Sequence, residues 1–132
     1  MTKPWIKVCG VTRAEDIDLL VDCGATAVGL NLWPKSPRSV SEEDLLHLTK
    51  LAKDRLDVVW VTVDMQLEKL TDLVAKGNPD WVQLHGDQGP EYVEALGPKA
   101  FYAVGLKEQS HVDAALKADG SIVLIDARDE KL

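Results

Sequence analysis

Short apolar runs alternate with longer amphipathic ones along this chain, and that alternation limits the folds open to it. The apolar runs are Trp5 to Cys9, Ala27 to Leu32, Val58 to Val63, Trp81 to Leu84, Phe101 to Val104 and Ile122 to Asp126. They are rich in Val, Ile, Leu and Trp, and several lack apolar/polar alternation, which predicts strands covered on both faces. Helical patterns fill the gaps. Thr12 with Glu15 three residues on has the form of a capping box. Ser41 opens a second helix, and Glu42, Glu43 and Asp44 complement its dipole. Gln66 to Lys76 reads as a third helix, with Gly77 as its C′ residue and Pro79 beyond. Pro90 to Leu96 reads as a fourth, and His111 to Ala118, capped by Ser110, as a fifth. The order is β-α five times, then one more strand, with periods of roughly 20 to 30 residues that match βαβ units.

Two architectures accept such a string: an open doubly wound sheet and a (β/α)8 barrel. A barrel needs about 200 residues, and the chain has 132. Length alone therefore favours the open sheet. The composition, 45% hydrophobic and 28% charged, supplies a core for one domain. The formal charge of −7 argues against nucleic acid as a partner. No apolar run reaches transmembrane length, and Met1 to Pro4 carries no signal-peptide core, so neither a membrane nor secretion is expected. Cys9 ends the first strand and Cys23 ends the following helix, about 15 Å away along the helix. A disulfide needs Cα atoms within about 7 Å. Two free thiols and a cytoplasmic location are the expectation.

Parallel α/β folds carry their chemistry at the carboxyl ends of the strands. Cys9 lies there, immediately before Gly10, and its thiol serves either as a small buried hydrophobe or as a proton acceptor. Asp126 closes the run Ile122-Val123-Leu124-Ile125, where partial burial would fit a carboxyl to donate a proton. Asp64 follows the third strand and competes for that role. Arg38, in the stiff segment Trp33-Pro34-Lys35-Ser36-Pro37-Arg38, suits bidentate capture of a carboxylate. His85 follows Trp81-Val82-Gln83-Leu84 and can donate a hydrogen bond or carry a proton. His47 and His111 read as surface residues, Cys23 as structural, and the tryptophans as core or pocket wall. No metal-ligand spacing, G-x-G-x-x-G or P-loop pattern occurs.

The segments Lys7-Val8-Cys9-Gly10-Val11-Thr12, Ala27-Val28-Gly29-Leu30, Pro34-Lys35-Ser36-Pro37-Arg38, Val82-Gln83-Leu84-His85-Gly86 and Leu124-Ile125-Asp126 resemble phosphoribosylanthranilate isomerase of tryptophan biosynthesis. The resemblance implies an incomplete (β/α)8 TIM-type barrel, with six parallel strands and five helices in a single partial domain over 1–132. It implies an Amadori rearrangement of N-(5-phosphoribosyl)anthranilate with no cofactor and no metal. It makes Asp126 the general acid at the furanose ring oxygen and Cys9 the general base at C2. Arg38 becomes the clamp for the anthranilate carboxylate and His85 a pocket residue. Two alternatives remain: a related phosphosugar-barrel enzyme with a different substrate, and a non-catalytic α/β binding module.

The chain departs from the family pattern at Leu30 and Leu32, where aromatics are common, and at Trp60 and Thr62 in the third strand. These changes are expected to reshape the anthranilate pocket. The glycine-rich phosphate loop and the last two βα units have no counterpart, so no phosphate-binding residue is assigned. The first and sixth strands are expected to be edges, which invite self-association and leave the isolated polypeptide weakly folded and weakly active.

Overall fold

The computed structural model describes residues 4–86 and 88–103, and the backbone alone of 104–106 and 123–127. Among these residues the order is β1 (Lys7–Cys9), α1 (Ala14–Asp22), β2 (Ala27–Asn31), α2 (Glu42–Ala52), β3 (Asp57–Val63), α3 (Leu67–Gly77), β4 (Trp81–His85), α4 (Pro90–Leu96), β5 (Ala100–Leu106) and β6 (Val123–Ala127). A short 3-10 turn, Gly97–Lys99, links α4 to β5. The fifth helix expected over His111 to Ala118 lies outside the described residues.

The six strands form one sheet in the order β1-β2-β3-β4-β5-β6, and every neighbouring pair is parallel. A doubly wound sheet reverses its strand order at a switch point, and this one never does. Right-handed crossovers that all advance in one direction put every helix on the same face. The sheet then curls with its helices outside. One contact measures the curl. Lys7 of β1 donates from Nζ to Gln83 Oε1 of β4 at 2.7 Å. In a flat sheet strands three places apart lie about 14 Å from one another, with side chains parallel. The open sheet favoured by length is thereby overturned, and the fold is part of a (β/α)8 barrel.

Alternation along each strand sorts residues between two layers. Val28, Leu30, Val58 and Trp60 face outward and pack with Ile17, Leu45, Leu48, Ala52 and Leu73 of the helices. Val82 and Leu84 continue this layer against Leu70 and Leu96. Trp60 is fully buried, and its Nε1 donates to Thr49 Oγ1 at 2.9 Å. A Cβ on Gly77 would meet the Trp60 ring at 2.5 Å, so glycine there admits the indole. The left-handed C-cap falls instead to Asn78, with φ 48° and ψ 61°. This corrects the expectation of Gly77 as C′; asparagine tolerates the left-handed region better than most residues.

A second correction concerns α1. Its N-cap is Arg13, with no side-chain cap bond, rather than Thr12. Val11 is drawn into the outer core, which delays the helix by one residue. Ser41 caps α2 as expected, its oxygen accepting from Asp44 N at 3.1 Å. The inner layer holds Ala27, Val59 and Phe101, with Trp81 packed against them. Trp5 departs from the expected core role and is 49% exposed on the β1 edge.

Candidate active site

β1 turns at Gly10, whose φ of +84° suits glycine. The absent side chain matters as much as the dihedral. The aliphatic stem and guanidinium of Arg38 lie across Gly10, where a Cβ would meet Cδ at 2.6 Å and Cζ at 2.7 Å. Arg38 Nη1 donates to the carbonyl of Cys9 at 3.3 Å. The guanidinium and the end of β1 are therefore brought together although 29 residues separate them. Cys9 is exposed rather than a buried hydrophobe. Its sulfur lies over Gly29 of β2, 2.9 Å from where a Cβ would stand. The stem of Lys7 lies over the same glycine, its Cε 3.2 Å from that point.

Hydrogen bonds fasten the Arg38 loop in addition to its two prolines. Asn31, at the end of β2, accepts from Trp33 N at 2.8 Å through its side chain and from Val40 N at 2.9 Å through its carbonyl. Ser36 accepts from Arg38 N at 3.2 Å. Asn31 and Ser36 escaped the sequence reading. The available signal was a buried-strand asparagine just before a proline-rich loop.

β4 supplies the opposite wall. Gln83 is buried, and its Nε2 lies 2.6 Å from Nε2 of half-buried His85. Lys7, Gln83 and His85 thus form one polar chain across the inner layer. Lys7 and Gln83 were also missed; each is a polar residue at an inward position of an otherwise apolar strand. Asp64 follows β3 with φ 49°, its carboxylate against Gly86 and its N–H donating to the His85 carbonyl at 3.2 Å. Gln88, after β4, has both amide atoms buried with no hydrogen-bond partner. Tyr102 donates to the Gly89 carbonyl at 3.0 Å. Burial first, and Glu91 second, raise its phenol above the ordinary tyrosine range.

Asp126 pairs with Gly105, the fourth position of the five-residue β6, at the carboxyl end of the sheet. Its side chain lies outside the described residues. Strand alternation puts Gly105 in step with inward-facing Phe101. Cys9, Arg38, His85 and the backbone of Asp126 therefore share one end of the strands.

Leu30, Leu32, Trp60 and Thr62 do not line this pocket. Leu30, Leu32 and Trp60 pack beneath the helices, and Thr62 Oγ1 is bonded to the Gln83 carbonyl. The expectation that they reshape the pocket is corrected by strand parity: all four fall on outward positions.

A cavity of about 540 Å³ opens at the other, amino end of the strands, lined by Thr26, Lys53, Arg55, Asp57, Asp80 and Lys99 among others. Among the described residues no group of three or more His, Cys, Asp or Glu is arranged to hold a metal. No described helix is long and apolar enough to cross a membrane.

The family model for N-(5'-phosphoribosyl)anthranilate isomerase matches residues 6–131. The isomerase of Sinorhizobium medicae is 38% identical over 102 residues, covering 77% of this chain and 46% of the relative. A crystal structure of phosphoribosyl anthranilate isomerase from Thermotoga maritima superposes with TM-score 0.88 at 29% identity, over 98% of this chain and 64% of that one. Another, in complex with reduced 1-(o-carboxyphenylamino)-1-deoxyribulose 5-phosphate, superposes with TM-score 0.86 at 30% identity, over 96% and 66%. The chain spans about half the length of the curated relatives it matches. From the strand order, the motifs at the carboxyl ends of the strands and these matches together, the chain belongs to the N-(5'-phosphoribosyl)anthranilate isomerase family.

Proposed function

We propose that this chain carries the acid–base pair and the carboxylate clamp of an isomerase acting in tryptophan biosynthesis. The reaction is the Amadori rearrangement of N-(5-phosphoribosyl)anthranilate to 1-(2-carboxyphenylamino)-1-deoxyribulose 5-phosphate. The observation that carries the reading is the meeting of Arg38 with Cys9 over Gly10, with β6 bringing Asp126 to the same end of the sheet. The ligand held by the solved relative, a reduced carboxyphenylamino sugar phosphate, supports the substrate class.

The carboxyl of Asp126 protonates the ring oxygen as the C1–O bond breaks and the amine nitrogen lone pair closes a protonated Schiff base. That cation acidifies the C2–H bond. The Cys9 thiolate removes the C2 proton, and the electron pair forms an enolamine. Protonation at C1 and loss of the proton from the C2 hydroxyl then yield the ketone. No step requires a metal or redox cofactor. Arg38 holds the anthranilate carboxylate, and His85 lines the pocket. The phosphate is assigned to no residue of this chain.

The reading is of one partial barrel domain over 1–132, working in the cytoplasm on a small molecule, without nucleic acid or membrane.

The test is turnover of N-(5-phosphoribosyl)anthranilate by the protein this sequence encodes, followed as ketose formed. Cys9→Ala and Asp126→Asn should each lower kcat by about a hundred- to ten-thousand-fold. Arg38→Ala should act chiefly on KM. Undiminished turnover in Cys9→Ala would sink the assignment of the base.

A further inference from the structure

Lys7 lies two residues before Cys9 in β1, and strand alternation puts both side chains on the inward face. Cys9 Sγ stands 2.9 Å and Lys7 Cε 3.2 Å from a single point, the place where a Cβ on Gly29 would lie. The thiol and the lysine stem are therefore neighbours over one glycine. Beyond Cε, the ammonium is held by Gln83 of β4, whose Oε1 accepts from Nζ at 2.7 Å. Gln83 is buried, so this anchor does not trade places with water. A lysine ammonium has three N–H donors. Gln83 takes one, and among the described residues no second acceptor meets Nζ. Lys7 is half-buried, and a charged donor drawn from water without acceptors costs free energy. A brace between β1 and β4 accounts for one donor. The other two stand beside the sulfur.

We propose that Lys7 is a substrate-binding residue whose ammonium donates to the oxygen on C2 of the aminosugar, the carbon from which Cys9 takes a proton. The assignment rests on the isomerase reading of this sheet end. C2 carries both the hydrogen that leaves and a hydroxyl. A cation beside the base that grips the hydroxyl leaves the hydrogen turned toward the sulfur. The same oxygen gives up its proton as the enolamine becomes the ketone. A donor already aimed at it stabilises the negative charge that develops there. No bond to Lys7 forms or breaks. Gln83 acts through Lys7 and is a positioning residue.

The test is calorimetric titration of the full chain with two ligands. One is reduced 1-(o-carboxyphenylamino)-1-deoxyribulose 5-phosphate, the compound held by the solved relative, in which C2 carries a hydroxyl. The other is its counterpart without that hydroxyl. The unaltered protein should bind the second compound about tenfold to a hundredfold more weakly, the worth of a hydrogen bond to a charged group. Lys7→Met keeps the length of the stem and removes the donors, and it should bind the two compounds within about twofold of one another. A difference below about threefold in the unaltered protein would overturn the proposal, and that arm needs no substitution. Equal weakening of both ligands in Lys7→Met, with the preference for the hydroxyl kept, would make Lys7 a scaffold residue and overturn it too. Failure of the unaltered protein to bind the reduced compound at all would instead sink the isomerase reading, and this assignment with it.

Discussion

The two ends of the strands make a useful pair. At the amino end, charged groups line an open cavity, yet they are bound to their own scaffold. Asp57 accepts from Trp5 Nε1 at 2.9 Å and Asp80 from Val58 N at 2.8 Å. Lys99 donates to Asn78 Oδ1 and the Pro79 carbonyl, and Arg55 to Asp18. At the carboxyl end the polar groups come from β1, β4 and the loop after β2, and they converge. The amino end uses its charges to fasten loops to strands. The carboxyl end uses loops and glycines to aim its charges. The direction of the hydrogen bonds distinguishes the two ends, as expected for barrels whose lower face serves stability.

This contrast can be broken by substitution. The largest effect should come from Gly10→Ala. A methyl group there strains a backbone at positive φ and displaces Arg38, and a misplacement of about 1 Å costs on the order of a hundredfold in turnover. Steady-state kinetics measure it; a loss below threefold would mean that Arg38 is not aimed by Gly10. Asp80→Ala should behave in the opposite way. It orphans the Val58 N–H and should lower unfolding free energy by about 1 to 2 kcal/mol in urea titration, with kcat/KM unchanged. A parallel fall in kcat/KM would erase the distinction between the ends. The smallest effect should be Gln88→Leu. Its amide atoms are buried without partners, so an apolar side chain of similar shape should leave stability unchanged or slightly raised. A clear loss in the urea midpoint would show that the amide is bonded after all.

Much of this was legible in the residues. The apolar runs marked all six strands to within about two residues, because buried parallel strands demand continuous β-branched and aliphatic side chains. The placement of Cys9, Arg38 and His85 at the carboxyl ends of the strands was legible because each closes a strand or follows one. The barrel was not legible from length, and the decisive contact joins residues 76 apart in the sequence. Lys7 and Gln83 were hidden for the same reason: their roles are set by each other across the curl. Trp60 shows the converse failure. Its departure from the family pattern suggested a reshaped pocket, but one step of strand parity turns it into the core under α2 and α3.

The double attachment of the 33–40 loop to Asn31 has a consequence for affinity. A guanidinium on a floppy loop must surrender its freedom when an anion arrives, and that entropy is subtracted from the binding free energy. Here the surrender has already happened during folding. A carboxylate reaching Arg38 meets a cation whose backbone is fixed, so the attraction between them is diminished little by ordering the loop.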